Sequence, residues 1–178
     1  MMLIAEETIE KINLLIQAMF NHNRTLDRFL GWADSQWSFV TFSKVFHEKY
    51  AHLMPLLADQ FADILLRYNI APKYYETKRD VREYNSMIDF FNVNLNEHIE
   101  TYELIKSAID TATINGDLNV ESDLKRLLRI WNKFMSQAIL LRDKAEIYKD
   151  NLAMFDGFAE QFYILQDEYN LLNGIQND

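Results

Sequence analysis

A chain of 178 residues with 49% apolar side chains suits one domain with a sizeable core, since a chain near this length buries about 70% of the surface it exposes when unfolded. Four glycines and two prolines are too few for an all-β protein, and the lack of cysteine removes disulfides, thiolate zinc sites, iron–sulfur clusters and cysteine nucleophiles together. With 27 acidic against 18 basic residues the formal charge is −9, which attracts cations, repels a polyanion and argues against nucleic-acid partners.

Ile9, Ile12, Ile16, Met19, Asn23, Leu26 and Leu30 step by three and four, the stripe of a helix that faces a partner. A looser segment, 31–38, precedes a second stripe, Phe39, Phe42, Phe46, Tyr50, Leu53, Leu57, Phe61, Ile64 and Tyr68, which predicts a helix over about 39–69. Pro55 lies inside it and removes a backbone donor, so the helix is kinked there or starts there. Residues 70–77 form the crossover, and Thr77 with Asp80 three residues on resembles a capping box that opens the third helix. Tyr84, Ile88, Phe91, Leu95, His98, Tyr102, Ile105, Ile109 and Ala112 make that helix long, about 77–114, with Gly116 as its left-handed cap. Leu124, Leu128, Trp131, Met135, Ala138, Leu141, Ala145 and Tyr148 mark a fourth helix, and the stripe from Leu152 to Leu172 a fifth, broken only by Gly157.

The fold class predicted is all-α: an antiparallel four-helix bundle over 1–150 with one long crossover, and an additional C-terminal helix over 151–178. No apolar run approaches the ~18 residues of a membrane span. Met1 to Ala5 lead into Glu6 and Glu7 with no basic, apolar export pattern, so a soluble, cytoplasmic protein is expected.

The di-iron signature of large bundle enzymes, Glu-x-x-His on two helices with a Glu on each of two others, is absent, because no glutamate here has a histidine three residues on. His98 stands at a core-phase position of helix 3, where a hydrogen-bonded core residue is the default, and Asn23 is a candidate partner. At about 100° per residue Glu48, His52, Asp59 and Asp63 fall within roughly a 60° sector opposite the aromatic stripe of helix 2. Ala51, Ala58 and Ala62 run beside it, small enough for another helix to approach. This face is either solvated or a subunit interface carrying metal ligands; Asp59 and Asp63, one turn apart, suit a shared borderline cation such as Fe²⁺. There is no phosphate loop, nucleophile elbow or H-E-x-x-H, and Lys125, Arg126, Arg129 and Lys133 read as salt-bridging complements of the acidic helices.

Phe46-His47-Glu48-Lys49-Tyr50, followed by Asp59, Asp63 and Ala71-Pro72, resembles the second helix of Dps-type mini-ferritins, with its Leu-His-x-Lys-Phe, an acidic pair four apart and a Gly-Gly-x-Pro ending. Gln36-Trp37 is similar to that family's His-Trp, and Ala108 to Lys144, with its Asn-Gly-Asp turn and Trp131, to its last two bundle helices, so the likeness covers about 10–145. The resemblance implies iron as the metal, a homo-oligomer, and ferroxidase chemistry between subunits, with His47, Asp59 and Asp63 matching ligands. Gln36 replaces one histidine and Ala51 one aspartate, and His52 is a candidate to compensate. The expected function is iron binding with Fe(II) oxidation and storage at an inter-subunit site; the alternatives are a scaffold or partner-binding bundle without metal chemistry, and an enzyme with a small organic substrate near His98, Tyr102 and Trp131.

Overall fold

A computed structural model describes residues 3–175, and among them every regular element is a helix. The first, α1 (Glu6–Trp37), buries Ile12, Leu15, Ile16, Met19, Leu26, Phe29 and Leu30 along one face. It does not loosen at Gly31: Ala33 continues the buried face and Trp37 meets Phe29 edge-on at 6.0 Å. The helix stops at Ser38, whose left-handed backbone (φ 56°) sends its N–H back to the Ala33 carbonyl.

The second stripe is one path through three helical pieces: α2 (Val40–Phe46), a π turn (His47–Ala51) and α3 (Leu53–Leu66). Phe39, Phe42, Phe46, Tyr50, Leu53, Leu57, Phe61 and Ile64 are all buried, as their spacing predicts. Pro55 sits in the first turn of α3, where its missing N–H is tolerated. Pro55 has no N–H to give the Ala51 carbonyl four residues earlier, and Asn23 Nδ2 donates to it at 3.1 Å. Ala51, Ala58 and Ala62 are buried within the chain, where α3 packs on α1, so these small residues admit a helix of the same chain.

The crossover is longer than its sequence suggests and takes no regular structure until Met87. Thr77 and Asp80 do not open a helix: Asp80 Oδ1 accepts from the Arg82 N–H two residues on (3.1 Å) and from its guanidinium. A row of polar side chains on α1 holds this irregular path instead. Asn13 accepts from the Lys73 N–H (2.9 Å), Gln17 donates to the Glu76 carbonyl (2.7 Å), Asn21 accepts from the Lys78 N–H (3.0 Å) and Arg28 Nε donates to the Arg82 carbonyl (2.9 Å). Numbers rise together along both partners, so the crossover runs parallel to α1. Backbone groups satisfied in this way have no need of a helix.

The third bundle helix, α4 (Met87–Asn115), begins at Ser86, whose side chain accepts from the Asp89 N–H at 3.2 Å, and ends at Gly116 (φ 75°) as predicted. Its pairing with α1 is antiparallel: Phe29 stacks on Phe90, His22 meets Thr101, and Thr8 meets Asn115. The buried face is rotated from the predicted stripe, with Ile88, Leu95 and Tyr102 half-buried while the polar Asn94 and Thr101 enter the core. α5 (Leu118–Tyr148) starts beside the origin of α1, where Asp117 accepts from the Ala5 N–H, and completes an up, down, down, up bundle.

The last stripe is not one helix but α6 (Leu152–Gly157), a 3₁₀ turn (Ala159–Phe162) and α7 (Gln166–Leu172). The buried amide of Gln137 donates to the Phe162 carbonyl and accepts from the Ile164 N–H, both at 2.8 Å, which holds the chain extended at Tyr163. Fully buried Phe155 packs on Phe39, Phe42 and Phe91, and a ring so buried contributes about 2–3 kcal/mol. Asp156 accepts from the Thr41 and Phe42 N–H groups, capping an α2 that has no cap of its own. The terminal residues of the predicted 1–150 and 151–178 units, 1–2 and 176–178, lie outside the described residues. No helix among the described residues is long and apolar enough to cross a membrane.

Candidate metal centre

Two of the four predicted ligands are brought together by the π turn. In an α-helix side chains five apart point about 140° from one another. Here the His52 N–H reaches back five residues to the His47 carbonyl (3.1 Å), and the wider turn brings the imidazoles together, ring centres 4.3 Å apart and planes tilted by 59°. Asp27 of α1 adds a carboxylate, its Oδ1 3.5 Å from His47 Nε2, with both side chains about half exposed, 43% and 51%. Single-turn π insertions concentrate at functional sites. Asp27 carries no signal in the sequence: it is one acidic residue on the solvent phase of α1, and only the packing of α2 and the π turn against that helix makes it a neighbour of His47.

Asp59 and Asp63 stand one turn apart on the exposed side of α3, seven and eleven residues past His52. Seven residues of helix are roughly 10 Å along the axis, so within one chain Asp59 and the histidine pair cannot ligate the same ion. Asp63 borders a shallow groove with Gln60, Arg67 and Arg126; Arg67 pairs with Asp123, and Arg126 donates to Gln60 at 3.2 Å. Among the described residues no group of three or more His, Asp or Glu is placed to hold a metal ion within a single chain. Gln36 is exposed, and Ala51 is buried.

The bundle interior is polar at its centre but carries no buried carboxylate among the described residues; its buried polar side chains are Thr8, Asn13, His22, Thr25, Asn94, His98, Thr101 and Gln137. His98 is a core residue, with Tyr50 rather than Asn23 as its side-chain partner. Its Nδ1 lies 2.7 Å from the Asn94 carbonyl, which can only accept, so Nδ1 bears the proton and Nε2 accepts from the Tyr50 hydroxyl at 2.8 Å. Trp131 stacks on His98 at 4.9 Å and donates to its carbonyl. Burial lowers the His98 pKa to about 4 and pushes the Tyr50 hydroxyl up, so both stay neutral near pH 7.

His22, which the sequence stripe passed over in favour of Asn23, lies 4.7 Å from His98 by ring centres and 2.7 Å from Thr101 Oγ1. Burial, then the neighbouring His98, hold its pKa well below the usual value, partly offset by the Glu97 carbonyl. Outside this pair, Arg82 pairs with Asp80 at 2.5 Å and Glu97 at 3.4 Å. Burial raises the Glu97 carboxyl, an effect that Arg82 opposes.

No family model matches the chain, and no curated protein matches it in sequence. Solved structures do. An open pore ferritin from the hyperthermophilic archaeon Archaeoglobus fulgidus superposes with a TM-score of 0.82 at 14% identity, covering 89% of this chain and 97% of that one. A form of the same ferritin engineered to be closed gives 0.81 at 15% identity over 89% and 96%, and a humanized archaeal ferritin 0.82 at 14% over 89% and 95%. At such identity the likeness speaks for architecture: the chain has the ferritin-like fold, a four-helix bundle with one long crossover.

Proposed function

We propose that this chain is a ferritin-like iron-binding protein of the Dps-related kind, cytoplasmic, which assembles with copies of itself and takes up and oxidises Fe(II) at a site between subunits. The observation that supports the reading is the His47–His52 pair with Asp27 beside it on an exposed face: within one chain these three are not placed to hold a metal ion, but imidazole and carboxylate are the donor types that suit a borderline cation. Asp59 and Asp63 of a second copy would complete the set, which answers the separation of the two pairs along one chain. Iron is the cargo here: the imidazoles and carboxylates hold Fe(II) across the interface, an oxidant takes its electrons, and the net negative charge concentrates the cation.

The test is iron retained per chain after aerobic Fe(II) loading and desalting, read beside the mass of the assembly by light scattering. Tens of irons per chain on a large assembly are expected, lost in Asp59→Ala/Asp63→Ala and in His47→Ala/His52→Ala with helicity unchanged. Uptake that survives both double changes removes the site. A second reading, a scaffold or partner-binding bundle without metal chemistry, is favoured by Gln36 and Ala51 at ligand positions; little retained iron on a monomer or dimer selects it.

A further inference from the structure

The chain beyond α5 returns to the π turn that carries the histidine pair. Tyr163 lies between the 3₁₀ turn and α7, and its hydroxyl donates at 2.8 Å to the carbonyl of Lys49, the middle residue of the π turn. The Leu165 carbonyl is a second, longer acceptor at 3.1 Å. The Tyr163 ring meets Phe46, the residue before the π turn, edge-on at 5.8 Å, and the Lys49 ammonium lies over the same ring at 5.6 Å. Lys49 Nζ also reaches Gln166 Oε1 at 3.5 Å, and α7 packs on both the π turn and α3.

Tyr163 is itself held in place. Gln137 of α5, fully buried, grips the backbone on either side of it, at the Phe162 carbonyl and the Ile164 N–H. The tyrosine therefore meets the π turn from a fixed position on the bundle. A π turn is rare and is seldom sustained beyond one turn, so contacts from outside the helix decide whether it persists. Among the described residues two side chains bond its backbone, Asn23 at the Ala51 carbonyl and Tyr163 at the Lys49 carbonyl. The first answers the N–H that Pro55 lacks, and the second comes from the C-terminal segment.

We infer that Tyr163 is a positioning residue for the histidine pair: its hydroxyl holds the Lys49 carbonyl, and with it the π turn that brings His47 and His52 together. The bond from the His52 N–H to the His47 carbonyl closes around Lys49, so a hold on that residue acts on both imidazoles through the backbone. Its meaning for iron rests on the function proposed above, whereas the hold itself is a property of the chain without metal. The C-terminal segment is then a working part of the histidine site as well as an addition to the bundle.

The experiment is NMR of the full, metal-free chain beside Tyr163→Phe, which keeps the ring and removes only the hydroxyl, and Tyr163→Ala, which removes both. Two signals report on the pair: the NOE between the His47 and His52 ring protons, and the scalar coupling across the hydrogen bond from the His52 N–H to the His47 carbonyl. A tyrosine that only packs would leave both signals in place in Tyr163→Phe. Both are expected to fall by at least about half in Tyr163→Phe, with helicity unchanged, and at least as far in Tyr163→Ala. Unchanged signals in Tyr163→Phe overturn the proposal, also where Tyr163→Ala alters them, because ring packing is then the hold. Iron retention by the same proteins keeps the two readings apart. A parent chain that retains no iron removes the proposed function, and the NMR signals still decide the role of Tyr163. Iron uptake that is slower in Tyr163→Phe than in the parent, together with the fall in both signals, supports the two readings together.

Discussion

Pro55 has no N–H to offer the Ala51 carbonyl, and the Asn23 amide takes that place from another helix. A carbonyl left without a donor costs about 1–3 kcal/mol, so Asn23→Ala is expected to lower stability by about that amount. With Pro55→Ala, residue 55 regains an N–H and the same Asn23→Ala change should cost under about 1 kcal/mol. A double-mutant cycle by urea denaturation measures the coupling, and equal losses in both backgrounds would refute the compensation. Asn23 was visible in the sequence as a polar residue in core phase, but its partner was not, because that partner is a carbonyl orphaned by a proline 32 positions away. His47 and His52 are harder still: five apart, they read as divergent on an α-helix, and only the π turn aligns them.

Helix boundaries follow the same logic. Thr77 and Ser86 are each followed three residues later by an aspartate, and the local pattern alone does not choose between them. The choice is made by Asn13, Gln17, Asn21 and Arg28, which bind the crossover backbone up to residue 82 and leave Ser86 as the cap. Ser86→Ala is therefore expected to destabilise by about 1 kcal/mol, and Thr77→Ala to stay within about 0.5 kcal/mol of the parent, in thermal or chemical denaturation. A larger loss from Thr77→Ala would restore the earlier helix start.

The paired core histidines make the stability of the bundle depend on pH. His98, with a folded pKa of about 4, and His22, also lowered, stay unprotonated when folded in a range where the unfolded chain takes up protons near pH 6.5. Their stabilising contribution is complete above that value and is lost as pH falls from about 6.5 toward 4, by about 3 kcal/mol for His98 alone. Glu97 works the other way, since its raised pKa lets the folded state bind a proton first, and it offsets part of the loss. Denaturation at a series of pH values should show this slope, flattened in His22→Phe and His98→Phe; a slope unchanged in both variants would place its origin in surface carboxylates.

Helical periodicity, scarce glycine and absent cysteine sufficed for an all-α bundle with its aromatic face on Phe39 to Ile64 and its turn at Gly116, because these follow from local chemistry repeated along a helix. Contacts between distant segments set the rest: the length of the crossover, the breaks imposed on the last stripe by Gln137, the burial of His22, and the meeting of Asp27 with His47. Each depends on a side chain of one segment satisfying a group of another, and spacing within a segment holds no record of what will pack against it.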